Sequence, residues 1–133
     1  MKNISVLLFL LITLALNAQN NKTSGLNARQ FHKYWKVESE SPDYKVTFLG
    51  DTVEILSPKG LTLWRKEKMS GKVTIEYDAC VVVEVEGDRL SDLNCFWMAS
   101  DPQYPDNIWK REKWRSGIFL NCYSLQLYYM GYG

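Results

Sequence analysis

The chain has little of what metal and nucleophile chemistry needs. It holds one histidine, His32, and three cysteines, Cys80, Cys95 and Cys122, spaced by 15 and 27 residues and without a C-x-x-C pair. A zinc site of the His/Cys type therefore lacks a ligand set, and no metal or other cofactor is expected. Ser/His/Asp or Cys/His catalysis has only a histidine at the entrance of the domain to draw on. Charge of one sign is also missing: 16 Lys/Arg oppose 15 Asp/Glu, for a net charge of +1. Such a balance provides no basic field to hold phosphate backbones, which excludes nucleic acid as an expected partner. Nor is there an apolar run of the ~20 residues that a membrane-spanning helix requires.

The longest apolar run, Ile4 to Leu16, follows the positive Lys2 and ends at Asn17-Ala18-Gln19, where a small residue offers a cleavage site. This is the pattern of an export signal. The expected organisation is a signal peptide over 1–18, a polar leader over 19–30 and one domain over 31–133. No cysteine follows the apolar run to accept a lipid anchor, so a soluble secreted or periplasmic product is expected, with no membrane contact beyond the signal. In an oxidising compartment two of the three cysteines could pair, leaving one over; small apolar thiols in strands are more often packing residues.

What is abundant is hydrophobic and aromatic side chain, at 46% and 14% of residues, enough for a folded core. Turn residues recur at Ser41-Pro42-Asp43, Gly50-Asp51, Ser57-Pro58-Lys59-Gly60, Ser70-Gly71, Gly87-Asp88, Asp101-Pro102, Pro105-Asp106 and Ser116-Gly117. Between them lie runs of strand length rich in Val, Ile, Thr and aromatics. They are Tyr44 to Leu49, Thr52 to Leu56, Leu61 to Lys66, Lys72 to Glu86, Asp92 to Ala99 and Tyr123 to Met130. Ile108 to Arg115 could form one or two helical turns. The expected fold class is all-β, an antiparallel two-sheet sandwich.

Alternation assigns faces. Val73, Ile75, Tyr77, Ala79, Val81, Val83 and Val85 form the expected core side of the longest run. The same period puts Leu93, Cys95, Trp97 and Ala99 inward, with Asp92, Asn94, Phe96 and Met98 outward. In the last run Tyr123, Leu125, Leu127 and Tyr129 face inward, while Gln126, Tyr128 and Met130 point away. Leu61 and Leu63 leave Trp64 outward. Flat aromatics beside planar polar groups suit a sugar, whose C–H faces stack on rings while amides and carboxylates hold its hydroxyls. Trp64, Asp92, Asn94, Phe96, Gln126 and Tyr128 are the carbohydrate-binding candidates; the plainer alternative is that these aromatics cover a second layer. Arg115, in Trp109-Lys-Arg-Glu-Lys-Trp114-Arg115, is a further candidate, since a guanidinium can grip a uronate carboxylate with two hydrogen bonds. Lys110, Arg111 and Lys113 read as solubilising.

Catalysis has thinner support. Glu76/Asp78 and Glu84/Glu86 have the i, i+2 spacing that places two carboxylates on one strand face. The E-x-D-x-x-E pattern of sandwich glucanases is incomplete, because Val81 and Arg89 stand five residues after Glu76 and Glu84. A lyase would need a base and a cation beside a uronate, roles conceivable for Tyr128, Tyr132 and Arg115. Lyase or hydrolase activity, or a non-catalytic sandwich that binds a partner protein, remain alternatives.

Five segments carry a family likeness: Leu63-Trp64-Arg65-Lys66, the T-I-E-Y-D of Thr74 to Asp78, the S-D-L-N-C-F-W-M-A-S-D of Ser91 to Asp101, Arg115-Ser116-Gly117, and the L-Y-Y-M-G-Y-G of Leu127 to Gly133. From about Phe31 to Gly133 the chain resembles the uncharacterised secreted domains of the YesU type, found in Bacteroidota among polysaccharide-degradation proteins. D-L-N-x-F-W and L-Y-Y-x-G-Y-G are its most specific motifs. The resemblance implies a concanavalin A-like lectin/glucanase jelly roll with a role among plant or algal polysaccharides, such as pectin-like ones, and implies no established activity. Such domains continue past the G-Y-G with further strands, so the sequence is expected to be the N-terminal part of one.

Overall fold

A computed structural model describes residues 25–83, 86–87 and 93–132. The expected export signal, Glu84 and Asp92 lie outside the described residues. The order of elements is α1 (Phe31–Tyr34), β1 (Trp35–Ser39), β2 (Lys45–Leu49), β3 (Thr52–Leu56), β4 (Leu61–Arg65), β5 (Leu93–Ser100), a 3-10 turn (Ile108–Arg111), α2 (Glu112–Arg115), α3 (Phe119–Cys122) and β6 (Gln126–Tyr132). The regular structure of the described residues is thus mostly antiparallel strand, with a few one-turn helices. The strands form three antiparallel pairs, β1 with β4, β2 with β3 and β5 with β6. No helix among the described residues is long and apolar enough to cross a membrane.

β2 and β3 make a hairpin whose two-residue connection, Gly50-Asp51, takes φ of 62° at the glycine. A positive φ at the first central position suits the twist of a tight hairpin. Val46, Phe48 and Val53 turn their half-buried side inward, and Phe48 meets the buried Phe31 edge to face with ring centroids 5.3 Å apart. β1 carries the alternation of a half-buried strand, Trp35, Val37 and Ser39 against Lys36 and Glu38, which on its own would send the polar set outward. Here the polar residue is the buried one: Glu38 lies inside and Trp35 and Val37 are half-buried.

The reason is Arg115, which is fully buried at the end of α2. Its guanidinium donates from Nε and Nη2 to the two oxygens of Glu38, at 3.1 and 2.6 Å, and from Nη1 to the Ile108 carbonyl at 2.7 Å. Its plane lies 5.6 Å from the ring of Trp64. Trp64, Cys122 and Leu125 form the buried core, packed by Phe96, Ala99, Ile108, Trp109 and Leu127. Burial pushes the Cys122 thiol up, and the Glu38 carboxylate adds to the shift. All three cysteines are free thiols.

The turn after α2 is pressed onto β1. Ser116 adopts the left-handed conformation, and Gly117 follows with φ of 72°. A Cβ on Gly117 would come within 2.5 Å of the Glu38 carbonyl oxygen, and one on Gly60 within 2.5 Å of the Gly117 oxygen. Only glycine admits that approach.

Two expectations are corrected. Trp64 does not face out; it is buried, and Leu61 and Leu63 take the half-buried opposite side of β4. When both alternate sets of a strand are apolar, period two cannot choose between them, and the larger tryptophan surface has more to gain from burial. The segment expected as the longest strand is not a strand over its described residues, and Val73, Ile75, Tyr77, Val81 and Val83 are exposed. Alternation marks a chain that can bury one face, but a strand also needs a hydrogen-bonded neighbour and an apolar layer.

Arg115→Ala should destabilise the fold by about 3–5 kcal/mol by stranding the Glu38 carboxylate, while a Glu38→Leu/Arg115→Met double variant recovers most of the loss in urea titrations. Gly117→Ala should lower stability more than Gly50→Ala. Both meet a strained positive φ of about 1–3 kcal/mol, but only Gly117 also meets a backbone wall, since nothing lies within 4 Å of a Cβ on Gly50.

Candidate functional site

The β5–β6 hairpin carries most of the residues that the sequence singles out, and one irregularity decides where they point. Leu93 to Trp97 pair in register with Tyr132 to Tyr128, after which the register shifts before Ser100 meets Gln126. Met98 sits in the shift with φ of 54°. An extra residue of this kind reverses which alternate side chains face inward. Ala99 beyond the bulge packs on the core as expected; before it the assignment is inverted, so that Phe96 packs on the core and Trp97 lies on the reverse side.

 Cross-strand partners share a face, so the hairpin presents two distinct surfaces.

One surface holds Asn94, Phe96, Leu127, Tyr129 and Gly131. Aromatic contacts run along it from the interior to solvent. Phe96 stacks on buried Trp64 with centroids 6.2 Å apart and also on Phe119 at 6.2 Å. Phe119 in turn meets Tyr123 edge to face at 5.4 Å and Tyr129 at 6.0 Å. Exposure rises along the series, from 7% at Trp64 through 36% at Phe119 to 72% at Tyr123, with Tyr129 at 50%. The Tyr129 hydroxyl donates to Asn94 Oδ1 at 2.9 Å. Rings anchored on a core tryptophan and edged by a planar amide make a surface whose geometry is held before any ligand arrives.

The reverse surface carries Tyr128, stacked on half-buried Trp97 with centroids 5.8 Å apart and planes within 13°. Gln126 is exposed on the same strand. Asn94 and Phe96 are therefore brought together, and Tyr128 and Gln126 are not brought to them. Trp64 lies beneath the first surface as its support. Asp92 lies outside the described residues. Arg115 has its guanidinium committed to Glu38 and the Ile108 carbonyl, so the edge that was to grip a uronate is occupied. Of the carboxylate pairs, Glu76 and Asp78 line an open groove of about 620 Å³ with Ile75, Tyr77, Ala79, Leu93 and Tyr132. Among the described residues no group of three or more His, Cys, Asp or Glu side chains is placed to hold a metal ion.

Sequence reasoning did not single out Phe119, Tyr123 or Tyr129 as surface aromatics. Tyr129 and Tyr123 carried the inward phase of the last strand, and Phe119 belongs to a one-turn helix that periodicity cannot resolve. The basic loop also differs from expectation. Arg111 is not a solubilising side chain; its Nε and Nη2 grip the buried carboxylate of Asp101 at 2.7 and 2.8 Å, and Nη2 reaches Ser124 Oγ at 3.2 Å. Lys36 pairs with Glu112 and lies 5.4 Å from the Trp109 ring, which joins β1 to α2 a second time.

A family model matches residues 55–133, more than half of the chain, and its description is Domain of unknown function (DUF6250). The chain belongs to this family. The DUF6250 match takes in β4, β5, β6 and all three short helical turns between Ile108 and Cys122, together with every carbohydrate-binding candidate. β1, which supplies Glu38 to Arg115, lies before the DUF6250 match. No curated protein and no solved structure matches the chain.

The Arg111 guanidinium beside Asp101 holds its carboxyl below the ordinary value of 3.8, against the opposing effect of burial. A carboxylate whose native pKa is lowered stabilises the fold above its unfolded pKa, and that contribution is lost as pH falls through the native value. Asp101→Asn should therefore lower the melting temperature at neutral pH. The gap between wild type and variant should narrow once the pH drops below about 4, as followed by thermal melts between pH 7 and pH 3.

Proposed function

We propose that the chain is a secreted or periplasmic polysaccharide-interacting domain that holds glycan on the Asn94/Phe96 surface of the β5–β6 hairpin. The observation that carries this reading is the aromatic series from Trp64 through Phe96 and Phe119 to Tyr123, with Tyr129 and the Asn94 amide at its side. Sugar rings stack their C–H faces on aromatic faces, and a planar amide orients a hydroxyl or a carboxylate. Uronate-containing, pectin-like glycans of plants or algae are the substrate class, in keeping with the YesU-type resemblance. The finer architecture that suits this role is a concanavalin A-like two-sheet jelly roll. The apolar stripe Val73, Ile75, Tyr77, Val81 and Val83, exposed as it stands, has the period of a strand covered on one face, which supports that arrangement. The export reading rests on the Ile4 to Leu16 run.

The same exposed stripe favours a second reading, a non-catalytic module that docks on another protein. Affinity electrophoresis of the full-length protein through gels containing pectic, algal and hemicellulosic polysaccharides separates the two. At least one gel should retard the wild type, and a Phe119→Ala/Tyr123→Ala variant should bind about tenfold more weakly, since each lost ring contact is worth about 0.5–1.5 kcal/mol. A folded wild type that runs unretarded in every gel would sink the glycan reading; a stable complex with another protein would then favour docking. Release of unsaturated uronates or of reducing ends from the retarding polysaccharide would make the domain a lyase or hydrolase.

A further inference from the structure

We infer that Asn94 is the specificity-determining donor of this surface and that Tyr129 and Gly131 are its positioning residues; the inference rests on the glycan reading above. Asn94 and Gly131 face each other across the hairpin, and Tyr129 stands two residues before Gly131 on the same face. The Tyr129 ring leans along the strand over Gly131 and places its hydroxyl on Asn94 Oδ1 at 2.9 Å. Gly131 makes that lean possible. A Cβ there would collide with the Tyr129 hydroxyl and stand 3.0 Å from the ring carbon that bears it and 3.1 Å from Asn94 Oδ1. Its backbone needs no glycine for conformational reasons, because its φ is not positive. What glycine supplies is room for the phenol.

The consequence is chemical. A carboxamide has one acceptor oxygen and an NH2 with two donors. With the oxygen engaged by the phenol, the group is held so that its NH2 is the end offered to a ligand. The Asn94 position therefore selects an acceptor, such as a uronate carboxylate or a sugar hydroxyl oxygen, placed beside rings that stack the sugar itself. A donor held in one orientation loses less freedom on binding than one that swings. Because the atom a Gly131 side chain would meet is the far end of the tyrosine, Gly131→Ala displaces the phenol while leaving the hairpin backbone intact.

The test uses the full-length protein in gels of polygalacturonate, alginate and xylan, with Asn94→Asp, Tyr129→Phe, Gly131→Ala and, as a control on the reverse surface, Tyr128→Phe. Asn94→Asp keeps an acceptor for the Tyr129 hydroxyl but removes both donors. It should weaken binding at least about tenfold in polygalacturonate, where it also sets a carboxylate against carboxylates. Tyr129→Phe and Gly131→Ala should each weaken binding by about two- to tenfold, the worth of one hydrogen bond, and Tyr128→Phe should bind as wild type. Without any glycan, Tyr129→Phe and Gly131→Ala should both shift the side-chain amide resonances of Asn94 in a nitrogen–proton correlation spectrum. If the wild type is retarded while Tyr129→Phe and Gly131→Ala bind normally and leave those resonances unmoved, the positioning role is wrong and the glycan reading stands. If Asn94→Asp binds as wild type, the donor role is wrong. If no gel retards the folded wild type, the glycan reading falls and this inference falls with it.

Discussion

The buried pair between Glu38 and Arg115 joins residues 77 positions apart and holds the two ends of the structure together. It links β1 to the helical turns before β6 and leaves the guanidinium beside Trp64, the residue on which the aromatic series is built. Two charges inside a small core are costly to desolvate, and the geometry here offsets that cost with a two-pronged contact and a third hydrogen bond to the Ile108 carbonyl. Such a pair also excludes other arrangements, since any packing that separates the partners leaves a bare charge inside. The close approach of Gly117 to the β1 backbone and of Gly60 to Gly117 reinforces the same junction.

A second constraint acts on the hairpin. The bulge at Met98 lets β5 put Phe96 and then Ala99 against one core, residues that strict alternation would send to opposite sides. The aromatic series follows from that reversal, because Phe96 can then bridge Trp64 and Phe119. Beyond the bulge, Asp101 captures Arg111 and fixes the start of the loop that leads to α2. The proposed glycan surface is thus supported from below by the core, and the loop that follows β5 is held by a second, partly buried ion pair.

How far the sequence could be read varies from element to element, and the variation has a physical cause. β2, β3 and β4 fall within a residue or so of their expected limits, because turn residues bound short runs of β-forming side chains. The turns at Ile108 to Arg115 are also where they were expected. β1 was not among the expected strands although it alternates, and its burial was not legible, since its buried residue is a glutamate whose partner is remote in sequence. The face of Trp64 was not legible either, because both sides of β4 are apolar. Of the candidate residues, Asn94 and Phe96 do share a surface, while Tyr128 and Gln126 lie behind it and Arg115 is occupied within the core.

By itself the sequence determined that this is a chain of short antiparallel strands, with a balanced charge and an aromatic content of 14%. Those properties depend on composition and on neighbours along the chain, which act whatever the fold. Only the tertiary structure decided which aromatics support and which are exposed, that Arg111 and Arg115 serve carboxylates of the same chain, and that Asn94 is held by Tyr129 across the hairpin. These outcomes depend on contacts between residues far apart in sequence and on one extra residue in a strand, and no local pattern encodes either.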